Sequence, residues 1–189
     1  TDDLLPLPKD VIGEKPQTDF YPVVTRDLKV DGAYFGVPLE IDTLLLFVNK
    51  DLFKTAGAAY PKTWNEIKIT APLLTVKDVN DKIKTAGVAL GTYDNVSHAS
   101  DIVSLMFVQN GVDLKNIGKT SKNAEDALLF YTAFAKGRGS VWDETLDSSV
   151  LAFAKGNLAM FFGYSWDIFT IQAINSNLNF EVIPVPQIT

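Results

Sequence analysis

Two carboxylates, Glu40 and Asp42, interrupt the apolar stretch from Tyr34 to Lys50 (YFGVPLEIDTLLLFVNK). Ionised carboxylates are costly to bury without partners, so an apolar run broken this way marks a cleft or a wet strand end. Their i, i+2 spacing would put both side chains on one face of a strand. Three readings follow. A glycosidase needs an acid and a nucleophile that flank one bond at a set separation, which strand neighbours do not do. A solvated strand end would simply face water. The third is ligand binding, because ionised carboxylates are pure acceptors and take hydroxyl groups in charge-assisted bonds.

Aromatic and polar side chains elsewhere suit the same chemistry. Trp166 follows Met160-Phe161-Phe162-Gly163-Tyr164-Ser165 at an expected strand-to-helix junction, beside Tyr164 and Asp167. An indole there can offer its face to the apolar C–H face of a sugar ring. The loop Gly91-Thr92-Tyr93-Asp94-Asn95-Val96-Ser97-His98 is dense in hydrogen-bonding groups. It reads either as ligand contact through Tyr93, Asp94, Asn95 and His98, or as a surface loop with a helix cap at Ser97 or Ser100. Trp142 reads either as a second stacking platform or as a wedge against the chain's own surface. A single histidine without cysteine is a poor metal signal, and Ser97-His98 adjacency is not a nucleophile–base geometry. Asp143, Glu144 and Asp147 lack a calcium-loop pattern, and the dispersed glycines form no phosphate loop. No cofactor is implied.

Composition narrows the class. Of 189 residues, 47% are apolar and 21% charged, as in an ordinary soluble domain, and no apolar run reaches membrane-span length. The net charge of −6, with basic residues scattered among acids, argues against nucleic acid. The absence of cysteine removes disulfide and thiolate chemistry. Thr1-Asp2-Asp3 does not resemble a natural start, so the chain is read as a processed or excised piece.

The elements that must position these residues alternate between strand and helix, which gives an α/β class. The Pro-, Asp- and Lys-rich first thirty residues are expected to form an extended connector with one helical turn near Asp19–Val24. Strands are expected at Tyr34–Leu39, Ile41–Val48, Val88–Leu90, Leu158–Phe162 (central) and Phe180–Pro184. Helices are expected at Asn49–Ala56, stopped by Gly57, and from Thr63 to about Leu74. The second carries a Thr63/Glu66 capping box and a break at Pro72. Further helices are expected at Ser100–Asn110, Asn123–Lys136, Ser148–Lys155 and Trp166–Asn175.

Five phrases occur in the order found in carbohydrate-type solute-binding proteins of ABC importers, the family that includes the maltose-binding protein. They are Phe35-Gly36-Val37-Pro38, Val48-Asn49-Lys50-Asp51-Leu52-Phe53, Pro61-Lys62-Thr63-Trp64-Asn65-Glu66, Ala152-Phe153-Ala154-Lys155-Gly156-Asn157-Leu158-Ala159-Met160 and Val182-Ile183-Pro184-Val185-Pro186. The chain resembles that family from Tyr34 to Pro186. The resemblance implies a type II periplasmic-binding-protein-like fold, here mostly the C-terminal lobe with its hinge-crossing strands. Residues 1–40 would be the tail of the N-terminal lobe and a connector, 41–179 the C-terminal lobe, and 180–189 the return crossing. The rest of the N-terminal lobe would be missing. The implied ligand is a sugar or oligosaccharide, and the implied partners are the membrane permease subunits of the importer. The implied location is extracytoplasmic, periplasmic or cell-surface, with a lipoprotein anchor in full length. Counting back from Asn49, Asp42 falls where the maltose-binding protein carries a sugar-contacting acid, which separates it from Glu40. Trp166 matches the family's stacking Trp, though one more residue separates it from Gly163 than in the maltose-binding protein. Two other classes stay open: a carbohydrate hydrolase, and a stand-alone interaction domain with the same lobe fold.

Overall fold

The computed structural model describes residues 4–188, so the start Thr1-Asp2-Asp3 and Thr189 lie outside the described residues. The chain divides into two units between Asp42 and Thr43.

The first unit is helical where an extended connector was expected. It holds α1 (Lys9–Ile12), α2 (Pro16–Asp19) and α3 (Pro22–Leu28), followed by a hairpin of β1 (Lys29–Val30) and β2 (Ala33–Tyr34). The prolines explain the difference. Pro16 and Pro22 each occupy the first position of a helix, where the missing N–H costs nothing and φ is already set. Residues 35–44 form no regular element, so the strands expected at Tyr34–Leu39 and over Ile41–Leu44 are absent.

The second unit opens with β3 (Leu45–Asn49), which sits at the middle of a three-stranded antiparallel sheet of order β6-β3-β7. β6 is Met160–Gly163 and β7 is Phe180–Ile183. β6 pairs with Leu45–Val48 and β7 with Leu46–Asn49, which is why the strand is so short: residues before Leu45 have no ladder partner. Leu46, Phe47 and Val48 are wholly buried in succession, so both faces of β3 are covered. Phe47 anchors an aromatic cluster with Phe161 (4.7 Å between ring centroids), Phe180 (6.1 Å) and Phe153 (6.3 Å). β3, not the segment Leu158–Phe162, is the central strand.

Helices surround this sheet. Asn49 caps α4 (Lys50–Ala56) by accepting the N–H groups of Asp51 and Leu52 at 3.1 Å. α5 (Trp64–Leu74) starts with the Thr63/Glu66 capping box and continues past Pro72, which lies in its last turn and forfeits a single backbone bond. Trp64 stacks on Phe162 (5.3 Å) while its Nε1 donates to Gln109 Oε1 at 2.6 Å. A small hairpin, β4 (Val76–Lys77) with β5 (Ile83–Thr85), leads into the buried residues 86–90. These run beside β6 but form only an isolated Ala86–Leu158 bridge and an Ala89 N–H bond to Met160 O, in place of the expected strand. A Cβ on Gly87 would lie 1.9 Å from Ala71 O, so α5 approaches this backbone as closely as only glycine allows. The remaining helices are α6 (Ala99–Gln109), α7 (Ser121–Ala133) after a 3₁₀ turn at Ile117–Thr120, α8 (Ser149–Ala154) and α9 (Asp167–Ile174). None among the described residues is long and apolar enough to cross a membrane.

Candidate ligand-binding site

The junction between β6 and α9 brings together side chains from distant parts of the second unit. Asp167 opens α9 and is 6% exposed. Its Oδ2 accepts the Tyr164 N–H at 2.9 Å, closing the turn, and a carboxylate at a helix N-terminus is favoured by the helix dipole. Gly163 is required by this closure. A Cβ there would lie 2.6 Å from Asp167 Oδ2 and 2.8 Å from the Phe161 ring. The turn stacks the Tyr164 and Trp166 rings at 4.5 Å and 25°, and Trp166 keeps 43% of its surface exposed.

His98 supports this pair from the other chain segment. It takes the N-cap position of α6 in the left-handed region (φ 61°) and makes no side-chain cap bond. The caps expected at Ser97 or Ser100 are therefore not formed. The imidazole meets Tyr164 edge-on at 4.6 Å and Trp166 at 6.2 Å. Its Nε2 lies 3.3 Å from Asp167 Oδ2 and its Nδ1 4.0 Å from Asp101 Oδ2. Asp101 Oδ2 also accepts the Tyr164 hydroxyl at 3.2 Å. The two ring nitrogens face different carboxylates, so the trio does not converge on a metal position. Asp101 was not singled out from the sequence. Its signal was the i+3 spacing from His98, which places both on one helix face.

The remaining expected residues divide. Tyr93 and Asp94 are exposed at the tip of their loop. Asn95 spends its amide internally: Oδ1 accepts from Thr92 Oγ1 and Trp142 Nε1, and Nδ2 donates to the carbonyls of Asp143 and Leu146. Trp142 has no exposed surface, so it is the wedge and not a stacking platform. Burial of Tyr131, whose hydroxyl donates to Thr92 O at 2.6 Å, pushes that phenol up to about 12. In the first unit, Glu40 is exposed and Asp42 half-buried. A cavity of ≈ 280 Å³ lies elsewhere in the second unit, lined by Trp64, Met106, Phe130 and Gln187 among others, and shares no residue with the Tyr164–Trp166 pair.

Comparison with known proteins decides what kind of chain carries this junction. The family profile described as bacterial extracellular solute-binding protein matches residues 2–189. The chain belongs to this family. Among curated relatives, the maltodextrin-binding protein MdxE of Bacillus subtilis is 29% identical over 171 residues, covering 85% of this chain and 39% of that protein. Solved solute-binding proteins share the fold. One is an ABC transporter solute-binding protein from Thermotoga lettingae bound with α-D-tagatose. It superposes with a TM-score of 0.71 at 22% identity, over 96% of this chain and 49% of that one. UgpB from Mycobacterium tuberculosis, in complex with glycerophosphocholine, gives 0.71 at 21% identity, over 98% and 48%. The chain thus has part of a type II periplasmic-binding-protein-like fold and spans less than half the length of these relatives. These relatives are binding proteins, and the family's extracellular character implies an extracytoplasmic location.

Proposed function

We propose that this chain is part of the substrate-binding component of an ABC importer, one that captures a sugar or oligosaccharide and presents it to a membrane permease. The observation that carries the reading is the half-exposed indole of Trp166, stacked on Tyr164 at a junction fixed by Asp167, in a member of a solute-binding family. An aromatic face held rigid in this way suits the C–H face of a sugar, with nearby carboxylates accepting its hydroxyls. MdxE's maltodextrin and the tagatose of the Thermotoga protein suggest the ligand class.

In this reading Trp166 and Tyr164 form the platform, with Tyr93 and Asp94 on the adjoining loop. Asp42, in the first unit, is proposed separately as an acceptor of a ligand hydroxyl, with Glu40 as its solvated neighbour. His98 serves behind the rings, and Asn95 and Trp142 shape the loop without touching ligand. The protein performs no chemistry on what it binds. Ligand held between two lobes stabilises the closed form by differential affinity, and that form engages the permease. A lipoprotein anchor would keep the full-length protein at the membrane.

Calorimetric titration of the full-length protein with maltotetraose, mannobiose and tagatose tests this. Saturable binding of one of them, weakened about tenfold by Trp166→Ala, which corresponds to about 1.4 kcal/mol, is the expected result. Wild-type affinity retained in that variant would remove Trp166 from the site.

A further inference from the structure

His98 is the sole histidine of the chain, and three independent features converge on it. It holds a positive φ of 61°, which only a minority of non-glycine residues adopt. Its ring lies edge-on to Tyr164, behind the exposed indole. Each ring nitrogen is directed at a carboxylate, one from its own helix and one from α9. Backbone held in a sparsely populated region at a polar cluster is a pattern associated with functional sites.

Resting on the proposed function above, we infer that His98 is a positioning residue for the Tyr164–Trp166 platform and makes ligand affinity depend on pH. A neutral imidazole carries one N–H. The shorter contact assigns that proton to Nε2, donating to Asp167, which leaves the lone pair of Nδ1 pointing at Asp101. Protonation puts a donor on both nitrogens. Asp101, which already accepts the Tyr164 hydroxyl, is then tied to the imidazolium, and Tyr164 is fixed at its hydroxyl, its backbone N–H and its ring face. Loss of the proton sets a lone pair against a carboxylate and loosens Asp101, the Tyr164 ring and the indole stacked on it. The groups facing the imidazole are Asp101 from α6, Tyr164 from the turn after β6, and Asp167 from α9. Imidazole is the side chain that ordinarily changes charge between pH 5 and 8.

The sign is fixed: affinity is higher on the acid side and falls as pH rises. The test is calorimetric titration of the full-length protein with maltotetraose, which has no titrating group, at pH 5.5 and pH 8. It is paired with ligand-free tryptophan emission across the same range. Wild type should bind about three- to tenfold more weakly at pH 8, the scale of one charge-assisted hydrogen bond in a partly exposed site. Its emission should follow a single titration step that disappears in Trp166→Phe. His98→Asn removes the titrating group while supplying a residue that tolerates a positive φ, and should give flat profiles at the alkaline level. Asp101→Asn should flatten the affinity profile by removing the carboxylate charge that pairs with the imidazolium. A flat wild-type emission profile, or an unchanged slope in His98→Asn, overturns the inference. Absence of sugar binding at both pH values, with a His98-dependent emission step intact, instead overturns the sugar-binding reading and leaves the coupling standing.

Discussion

Trp142 is the largest fully buried side chain, and its Nε1 donates to Thr92 Oγ1 and Asn95 Oδ1 at 3.0 Å each. With Asn95 reaching the carbonyls of Asp143 and Leu146, this ties the loop at 91–98 to the loop at 141–148. Replacing Trp142 by Phe keeps most of the apolar contact but leaves Thr92 Oγ1 and Asn95 Oδ1 short of a donor. A loss of about 1–3 kcal/mol in urea unfolding is the expected outcome. Tyr131 clamps the same loop from α7, and its pKa gives a pH prediction. The folded value of about 12 lies above the ordinary 10.0. The contribution is therefore complete below pH 10 and is lost as pH rises from 10 to 12. A difference of this size corresponds to roughly 3 kcal/mol at most. Denaturation midpoints measured from pH 9 to 12 should fall, and fall less in Tyr131→Phe. The roles of Trp142 and Asn95 were not legible in the sequence, because an indole or amide that lines a cleft and one that closes a core share the same local pattern. Which one occurs depends on partners about fifty residues away.

Elements whose ends are fixed by local chemistry were the most legible. Asn49 before α4, the Thr63-x-x-Glu66 box before α5 and the glycines at 57, 111 and 156 act within a few residues of themselves, so reading along the chain suffices. Thr63→Ala should cost about 1 kcal/mol, and Asn49→Ala about the same or more, because Asn49 is only 3% exposed and caps two N–H groups. Thermal unfolding of the two variants checks both, and an unchanged midpoint would mean water replaces the caps. Strand extent was less legible. The run from Tyr34 to Val48 has strand composition throughout, yet only Leu45–Asn49 finds partners in β6 and β7. A ladder is a property of two chains of backbone, and composition reports one. At the site the same limit applies. The stacking of Trp166 on Tyr164 joins near neighbours in sequence at the strand-to-helix junction, whereas the Asp101 contact with Tyr164 became visible only once α6 was packed beside that turn.

At the scale of the whole chain, the two units differ sharply in how much they bury. Among the described residues of the first unit only Ile12 and Pro16 are buried, whereas the second contains a continuous core from Leu46 to Ile171. Apolar burial is the main favourable term in folding, at about 25 cal/mol per Å². Cooperative unfolding should therefore be governed by residues 43–188. A polypeptide beginning at Thr43 is long enough for one well-cored domain. Expressed alone, it should unfold in a single transition within about 4 °C of the 189-residue chain, since a loss near 1 kcal/mol moves a domain of this size by about 2–4 °C. Its urea m-value should be nearly unchanged, because the surface exposed on unfolding comes mainly from this core. A broad transition or a collapsed m-value would instead show that the β6-β3-β7 sheet depends on the preceding forty residues. Retention of the Trp166 emission signal in the shortened chain would show in addition that the β6–α9 junction is built from the second unit alone.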